Sequence, residues 1–509
     1  VLLTGERMSL LLGGVGLRPG KPSVVAGQEI GSAGPGPLRI QLCSVAGLVP
    51  PEFCLPQLAA GWFAVCPDPS ELLGLDASDV APVESLPVTQ RESFAAVQEH
   101  YYQVPPQIER GWRHHLIDVT GRVYVDMINN VTVVGHGHPR LAAASARQWS
   151  LLNTNSRFHY GVLGEFADRL ASLAPDGLDT VFLVNSGTEA NDLALRLAGI
   201  HTGRPGVVAI LEAYHGWSVA TDAVSTSVAD NPQALVTRPD WVHTLRAPNS
   251  YRGDFQGDDA GQRYVDDAVT TLQQLAASGA RIGTFIAEPY YGNAGGIPLP
   301  DGYLRAVYDE VRRTGGVCIA DEVQVGYGRL GEFFWGFEQQ QVVPDIITVA
   351  KGMGNGQPLG AVICRREIAD SFAREGYFFS SAGASPVSCR IGMTVLDVMR
   401  DEGLQHNARE VGATLRAELE QLQALHPMIG AVHGMGLYMG VELVRDRATR
   451  EPAVAETAAI CERMLELGVV VQPTGDRMNV LKIKPPMCLT ASSAAFFVEM
   501  LNRVLTEGW

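Results

Sequence analysis

The chain has no uninterrupted apolar run of about 18 residues or more, so no helical membrane span is expected. It has no Lys/Arg run either, and its 39 Lys and Arg are outnumbered by 55 Asp and Glu, for a formal net charge of −16. A polyanionic partner would bind against that field, which sets nucleic acid aside. The 8 cysteines are scattered, with no C-x-x-C pair and no His/Cys cluster at zinc spacing, so no metal site is expected. Several lie inside apolar runs, where a free cysteine acts as a small hydrophobe, and this points to a reducing, cytoplasmic setting. The apolar N-terminus is interrupted by Glu6 and Arg7 and lacks a basic start and a small-residue cleavage site, so a signal peptide is not expected. The first residue is not Met, which leaves room for a longer polypeptide.

What is present is a globular balance, 46% hydrophobic against 18% charged, in a chain of 509 residues that can bury a large core. Residues 1–75 are rich in Gly and Pro, with turn signals and no helical periodicity, and read as a small all-β module. Residues 76–97 read as an acidic, Pro-containing linker. A hairpin signal around Thr120-Gly121 opens the main body, and 152–159 is loop-like after a helical segment. From about 164 to 385 strand, turn and helix repeat, with strand candidates at 180–184, 207–211, 284–287, 317–320, 346–349 and 360–364. This is the pattern of an α/β fold with a mostly parallel sheet covered on both faces. One long helical stretch is expected over 386–424, then strands at 433–444 and 478–484 with helices at 453–466 and 491–506, a smaller α+β domain.

Two polar residues end buried strands in the α/β region. The run Gly-Val-Cys-Ile-Ala stops at Asp321, and Asp-Ile-Ile-Thr-Val-Ala stops at Lys351. A carboxylate and a lysine at the C-terminal ends of parallel strands stand where such folds place ligands. The pair suits pyridoxal phosphate, lysine on the aldehyde and carboxylate on the pyridine nitrogen, but a buried ion pair would leave the same letters. Asn185 to Asn191, Asn-Ser-Gly-Thr-Glu-Ala-Asn, lies between a strand and a helix and offers backbone N–H groups to a phosphate; a plain capping box reads the same way. Glu212 to Trp217 places Tyr214 and His215 after a strand, and Tyr214 is either a plate for a planar ring or a core tyrosine. Glu288, before Pro289, is another strand-end carboxylate.

These signals arrive in one order. Residues 98–507 resemble the class III aminotransferases, fold-type-I pyridoxal-phosphate enzymes, through Asn-Ser-Gly-Thr-Glu-Ala-Asn-Asp, Ala-Tyr-His-Gly, Ile-Ala-Glu-Pro, Asp-Glu-Val-Gln-Val-Gly-Tyr-Gly-Arg and Ala-Lys-Gly-Met-Gly-Asn-Gly. The resemblance implies pyridoxal 5′-phosphate as cofactor, with Lys351 as the Schiff-base lysine and Asp321 on the pyridine nitrogen. It places Val323 and Tyr214 on the two ring faces, Gln324 near the phenolic oxygen, and Ser186, Gly187 and Thr188 on the phosphate, with His215 and Glu288 in the same motifs. It also implies a homodimer in which a neighbouring Thr completes the phosphate site. That motif reads Ser-Ser-Ala-Gly-Ala-Ser-Pro here, so Ser381 keeps the hydroxyl.

Within the family the C-terminal half is similar to ethanolamine-phosphate and phosphohydroxylysine phospho-lyases and to terminal-amine aminotransferases. Lys482 stands where many members carry an arginine for a substrate carboxylate, and a lysine lacks the two-pronged contact. Val133 stands where the lyases resembled have a histidine, and valine suits an apolar group. His114, His115, Arg157, His159 and Arg329 are further candidate anion contacts. The expected activity is transfer of the amino group of a terminal primary amine to an oxo acid such as pyruvate, with phosphate elimination from a phosphorylated amine as the alternative. A non-catalytic scaffold is a third reading, opposed by the intact Lys351, Asp321 and phosphate turn. Residues 15–34 are similar to the closing hairpins of lysostaphin-like zinc peptidases, but Pro37, Leu38 and Arg39 replace the His-x-His ligands, so that module is expected to be inactive.

Overall fold

Strands buried on both faces favour near-continuous apolar runs, and Gly206–Ile210, Ile282–Ala287, Val317–Asp321, Ile346–Val349 and Gly360–Cys364 have them but for Thr284, Asp321 and Thr348, each strand buried throughout. The computed structural model describes residues 101–119 and 121–509, the backbone of five short strands between Leu2 and Cys43, and a few isolated positions. The buried strands belong to a seven-stranded sheet in the order Val242–Leu245, Gly206–Ile210, Ile282–Ala287, Val317–Asp321, Ile346–Val349, Gly360–Cys364, Thr180–Val184. The first five pair in parallel. Gly360–Cys364 runs against both of its neighbours, so Thr180–Val184 points the same way as the parallel five.

Alternation along the strands divides the core in two. Val207, Ala209, Ile286 and Ile319 pack with Leu193, Ala194 and Leu197 of helix Gly187–Thr202. Val208, Ile210, Phe285 and Cys318 pack with Tyr264, Leu272, Leu304 and Val307 from helices Ala260–Ala277 and Tyr303–Arg313 on the other face. With six strands sharing one direction, residues 185–188, 211–215, 288, 321–324 and 351 all emerge at one edge, and the antiparallel strand returns Gln357 to Leu359 to that edge.

The hairpin expected around Gly121 is present, His115–Asp118 against Val123–Asp126. Val469–Val470 joins that sheet in parallel, tying the C-terminal part of the chain to the segment before 164. Two expectations need correction. The helical stretch over 386–424 is two helices, Pro386–Asp401 and Leu404–Leu425, broken where Gly403 adopts a left-handed φ of 63°. The strand expected at 433–444 is the hairpin Ile429–Met435 and Tyr438–Asp446, turning at Gly436 and Leu437. Strands Val480–Ile483 and Gln472–Thr474 complete that sheet.

Near the N-terminus, Leu2–Thr4, Ser9–Gly13 and Arg39–Cys43 form one small sheet and Val15–Leu17 pairs with Gly31–Ala33. Pro37, Leu38 and the linker expectation over 76–97 lie outside the described residues, apart from isolated positions. No described helix is long and apolar enough to cross a membrane, and no cluster of described His, Cys, Asp or Glu could hold a metal.

Helix Leu404–Leu425 crosses the Gly436 turn so closely that a Cβ on Gly412 would lie 2.3 Å from Gly436 O and 2.7 Å from its Cα. Backbone cannot yield as a side chain can. Gly412→Ala is expected to cost about 1–3 kcal/mol through overpacking, read as a lower thermal unfolding midpoint.

Candidate active site

The sheet edge carries a cavity of about 330 Å³, lined by Ser186, Gly187, Thr188, Tyr214, His215, Glu288, Asp321, Val323, Gln324 and Lys351, together with Val131, Asn191, Trp217, Gln357, Pro358 and Leu359. Ten of the candidate residues therefore converge. Ser381 does not: it is exposed, in a loop where Ser380 caps Gly383.

Asp321 is the centre. Its Oδ1 accepts from Val323 N at 3.1 Å, and its Oδ2 accepts from Asn191 Nδ2 at 2.7 Å and pairs with His215 Nδ1 at 2.7 Å. A carboxylate oxygen accepts, so the ring hydrogen of His215 sits on Nδ1. Nε2 of His215 is buried with no hydrogen-bond partner among the described residues. Asn191 is itself fully used, donating also to His215 O at 2.8 Å and accepting from Thr348 Oγ1 at 2.6 Å. It lies one turn inside the helix, the last residue of the phosphate-turn motif.

Ser186 caps that helix, its Oγ accepting from Glu189 N at 3.1 Å, while Glu189 reaches back to Asn185 N at 2.9 Å. Ser186 thus caps the helix without closing a full capping box, since Glu189 accepts from Asn185 N and not from Ser186 N, and the first-turn N–H groups of Gly187 and Thr188, which have no intrahelical acceptor, border the cavity. Val323 presses on Gly187, where an added Cβ would meet Val323 Cγ1 at 2.9 Å.

Lys351 has a φ of 44° and Glu212, two residues before Tyr214, a φ of 65°. Left-handed backbone at residues other than glycine costs on the order of 1–3 kcal/mol and collects at functional sites. The strained Glu212 is clamped by Arg252, which donates to both its oxygens at 3.1 and 2.8 Å and forms an ion pair with Glu442 at 3.1 Å. Burial lowers the Lys351 pKa from the ordinary lysine value, opposed by the nearby charges of Asp321 and Glu288. Burial, then the charge of Asp321, raises Glu288. Glu288 accepts from Asn293 N at 3.1 Å and from Gln324 Nε2 at 3.2 Å.

Several secondary candidates are displaced. His114 and His115 are buried away from the cavity, His114 paired with Ser493 Oγ at 2.8 Å and pushed down to about 3 by burial. Arg157 stacks on Phe379 at 4.0 Å, and His159 does not line the cavity. Arg329 is fully buried and spends one nitrogen on Leu437 O and Pro485 O. Val133 packs beneath Gly352 and lines a narrow cleft with Arg329 and Tyr327, on the far side of Gln324 from the main cavity. Valine there bears on the cavity only through its neighbours. Lys482 is half-buried on its strand, and the lysine that reaches the site is Lys484, whose Nζ donates to Gln324 Oε1 at 2.7 Å.

A group combining an amine-reactive carbonyl, a basic ring nitrogen and a phosphate matches this donor set: a buried lysine, a fixed carboxylate and a helix N-terminus. The sequence profile described as aminotransferase class-III matches residues 96–505. An alanine–glyoxylate aminotransferase 2-like protein of Drosophila melanogaster is 41% identical over 449 residues, covering 86% of this chain and 91% of that one. A protein of Arabidopsis thaliana named alanine–glyoxylate aminotransferase 2 homolog 2, mitochondrial, is 42% identical over 409 residues, 80% and 84% of the two chains. Among solved structures, a phospholyase from Arthrobacter in complex with phosphoethanolamine is 33% identical, with a TM-score of 0.77 over 82% of this chain and 98% of that one. The chain belongs to the class III aminotransferase family. It is a pyridoxal-phosphate-dependent enzyme, and its relatives include both transaminases and phospho-lyases.

If Asn191 anchors Asp321, Asn191→Leu removes a hydrogen bond to a charged group worth about 1.5–3 kcal/mol. The cofactor dissociation constant should rise roughly 10- to 100-fold, read by spectrophotometric titration of apoenzyme with pyridoxal phosphate. Unchanged affinity would show that His215 alone suffices.

Proposed function

We propose that the enzyme transfers the amino group of a terminal primary amine to an oxo acid such as pyruvate. When bound, pyridoxal phosphate supplies the electron sink that lets a proton leave the carbon bearing the amine nitrogen. The chain's residues do the rest. Lys351 Nζ, lowered by burial, takes that proton and returns it. Asp321, steadied by Asn191 and His215, would hold the proton on the ring nitrogen. Ser186, Gly187 and Thr188 would hold the phosphate, Tyr214 and Val323 would flank the ring, and Gln324 would meet the ring oxygen.

The observation that carries transfer over elimination is that Val131, Trp217, Pro358 and Leu359 add apolar surface to a lining whose polar residues without an assigned role, Asn185 and Gln357, are uncharged. A substrate phosphate against them would lose hydration without a charge to replace it. The phospho-lyase reading is favoured by the Arthrobacter relative, whose structure contains phosphoethanolamine. The two separate in one assay. The purified protein with a simple primary amine and pyruvate is expected to form alanine, and Lys351→Ala to abolish it. Phosphate release from phosphoethanolamine with no oxo acid present would reverse the assignment.

The lowered Lys351 pKa sets the pH dependence. Neutral amine is available below the ordinary lysine value of about 10.4, and protonation on acidification removes it. Capture of pyridoxal phosphate by apoenzyme, trapped with borohydride as a modified Lys351, should persist below the ordinary lysine range and fall as pH drops through the lowered pKa.

The working form is read as a homodimer. Trp149, Leu151, Leu152, Phe158 and Tyr377 are exposed, on segments joined by Asn153 Oδ1 to Val387 N and by Arg157 on Phe379. An apolar patch of this kind marks a protein contact, and Ser381 lies beside it for the neighbouring phosphate site. Light scattering should give the mass of two chains. The buried, unpaired Cys318, Cys364, Cys389, Cys461 and Cys488 fit a reducing compartment, the cytoplasm, which fractionation against mitochondria would test.

A further inference from the structure

Strand Val480–Ile483 ends one residue before Lys484, whose backbone N–H is taken by Met127 O. Its side chain is 1% exposed, with Nζ 4.8 Å from the centre of the Tyr438 ring and 2.7 Å from Gln324 Oε1. Asn130 Nδ2 makes a longer contact to the same oxygen at 3.4 Å. On its other side Gln324 Nε2 donates to Glu288 Oε1 at 3.2 Å.

A primary amide has two acceptor lone pairs and two N–H donors, and a flip exchanges them. Flipped, Gln324 would set its carbonyl oxygen against the Glu288 carboxyl and its NH2 against Lys484 and the Asn130 amide. With Glu288 ionised both encounters put like against like, which favours the orientation seen. In that orientation both lone pairs and one N–H are occupied within the chain. What remains for the cavity is the second N–H. The charged and titratable groups around Lys484 are Lys482, Lys351 and Arg329, which together with burial push its pKa well down, and Glu288, which opposes them.

We propose that Lys484 is a positioning residue that locks the Gln324 amide, so that the cavity meets a hydrogen-bond donor and never an acceptor at the position of the cofactor's ring oxygen. A fixed donor favours the anionic form of that oxygen, and proton-binding groups of the bound cofactor become more acidic. The role is the same for amino transfer and for elimination, since both use this cofactor. It does not depend on which of the two the enzyme performs.

The test follows the visible absorbance of the bound cofactor against pH in the full-length holoenzyme. Lys484→Met is expected to move the midpoint upward by about one pH unit, with Lys484→Arg, which keeps the donors, close to wild type. Gln324→Met should shift it in the same direction, and adding Lys484→Met to Gln324→Met should add nothing, because the lysine acts through the amide. A purely structural lysine predicts the opposite pattern. An unmoved midpoint in folded Lys484→Met, or the same added shift with and without Gln324, overturns the proposal. Should Lys484→Met fail to fold, an unmoved midpoint in Gln324→Met overturns it as well.

Discussion

The contact between Asp321 and Asn191 joins the two halves of the site. Asp321 ends a strand, Asn191 belongs to the helix that follows a different strand, and the 2.7 Å hydrogen bond between them fixes the helix N-terminus against the strand end. His215, from a third strand end, closes the same oxygen. A carboxylate buried this deeply is tolerable only when hydrogen-bonded, and here its partners are Val323 in the loop that follows it, Asn191 in a helix and His215 after another strand. The carboxylate therefore ties the helix to two strand ends.

Around this centre lie two charged networks with different reach. Glu288, Gln324 and Lys484 run from the strand end toward the C-terminal segment. Glu212, Arg252, Glu442 and His433 run from the Tyr214 loop to the C-terminal hairpin. Burial would pull the Arg252 pKa down, but the two glutamates outweigh it and raise it. Both networks end on the sheet built from 429–446 and 480–483. Cavity residues Glu288 and Gln324 and the loop that carries Tyr214 are thus held from the C-terminal part of the chain, although none of them belongs to it.

How far the sequence foretold this follows from geometry. Asp321 and Lys351 were legible because an apolar strand that stops at a charged residue is a strong local signal, and the seven-stranded core was legible because strands buried on both faces leave continuous apolar runs. Asn191 was missed although it sits in a quoted motif, since an asparagine inside a helix carries no sign of the carboxylate it meets 130 residues away. Lys482 and Lys484 share a strand parity, and only the chain path after Ile483 decides which ammonium reaches Gln324. His114 and His115 were candidate anion contacts but are core residues, and for His114 that is set by Ser493 at the far end of the chain. The break at Gly403 was readable from the glycine, yet apolar periodicity on both sides masked it.

The site separates what it must fix from what it can vary. The floor carries the charges of Asp321, Glu288 and Lys351, with positive-φ backbone at Lys351 and, just behind it, at the Arg252-clamped Glu212. The wall of Val131, Trp217, Pro358 and Leu359 makes no hydrogen bond to the floor's charge networks, and Trp217 is largely exposed. Changes in that wall alter what fits above the ring while leaving Asp321 and its three partners intact. One floor can therefore serve relatives that transfer amines and relatives that eliminate phosphate. The difference between them is to be sought in side chains that face the substrate alone.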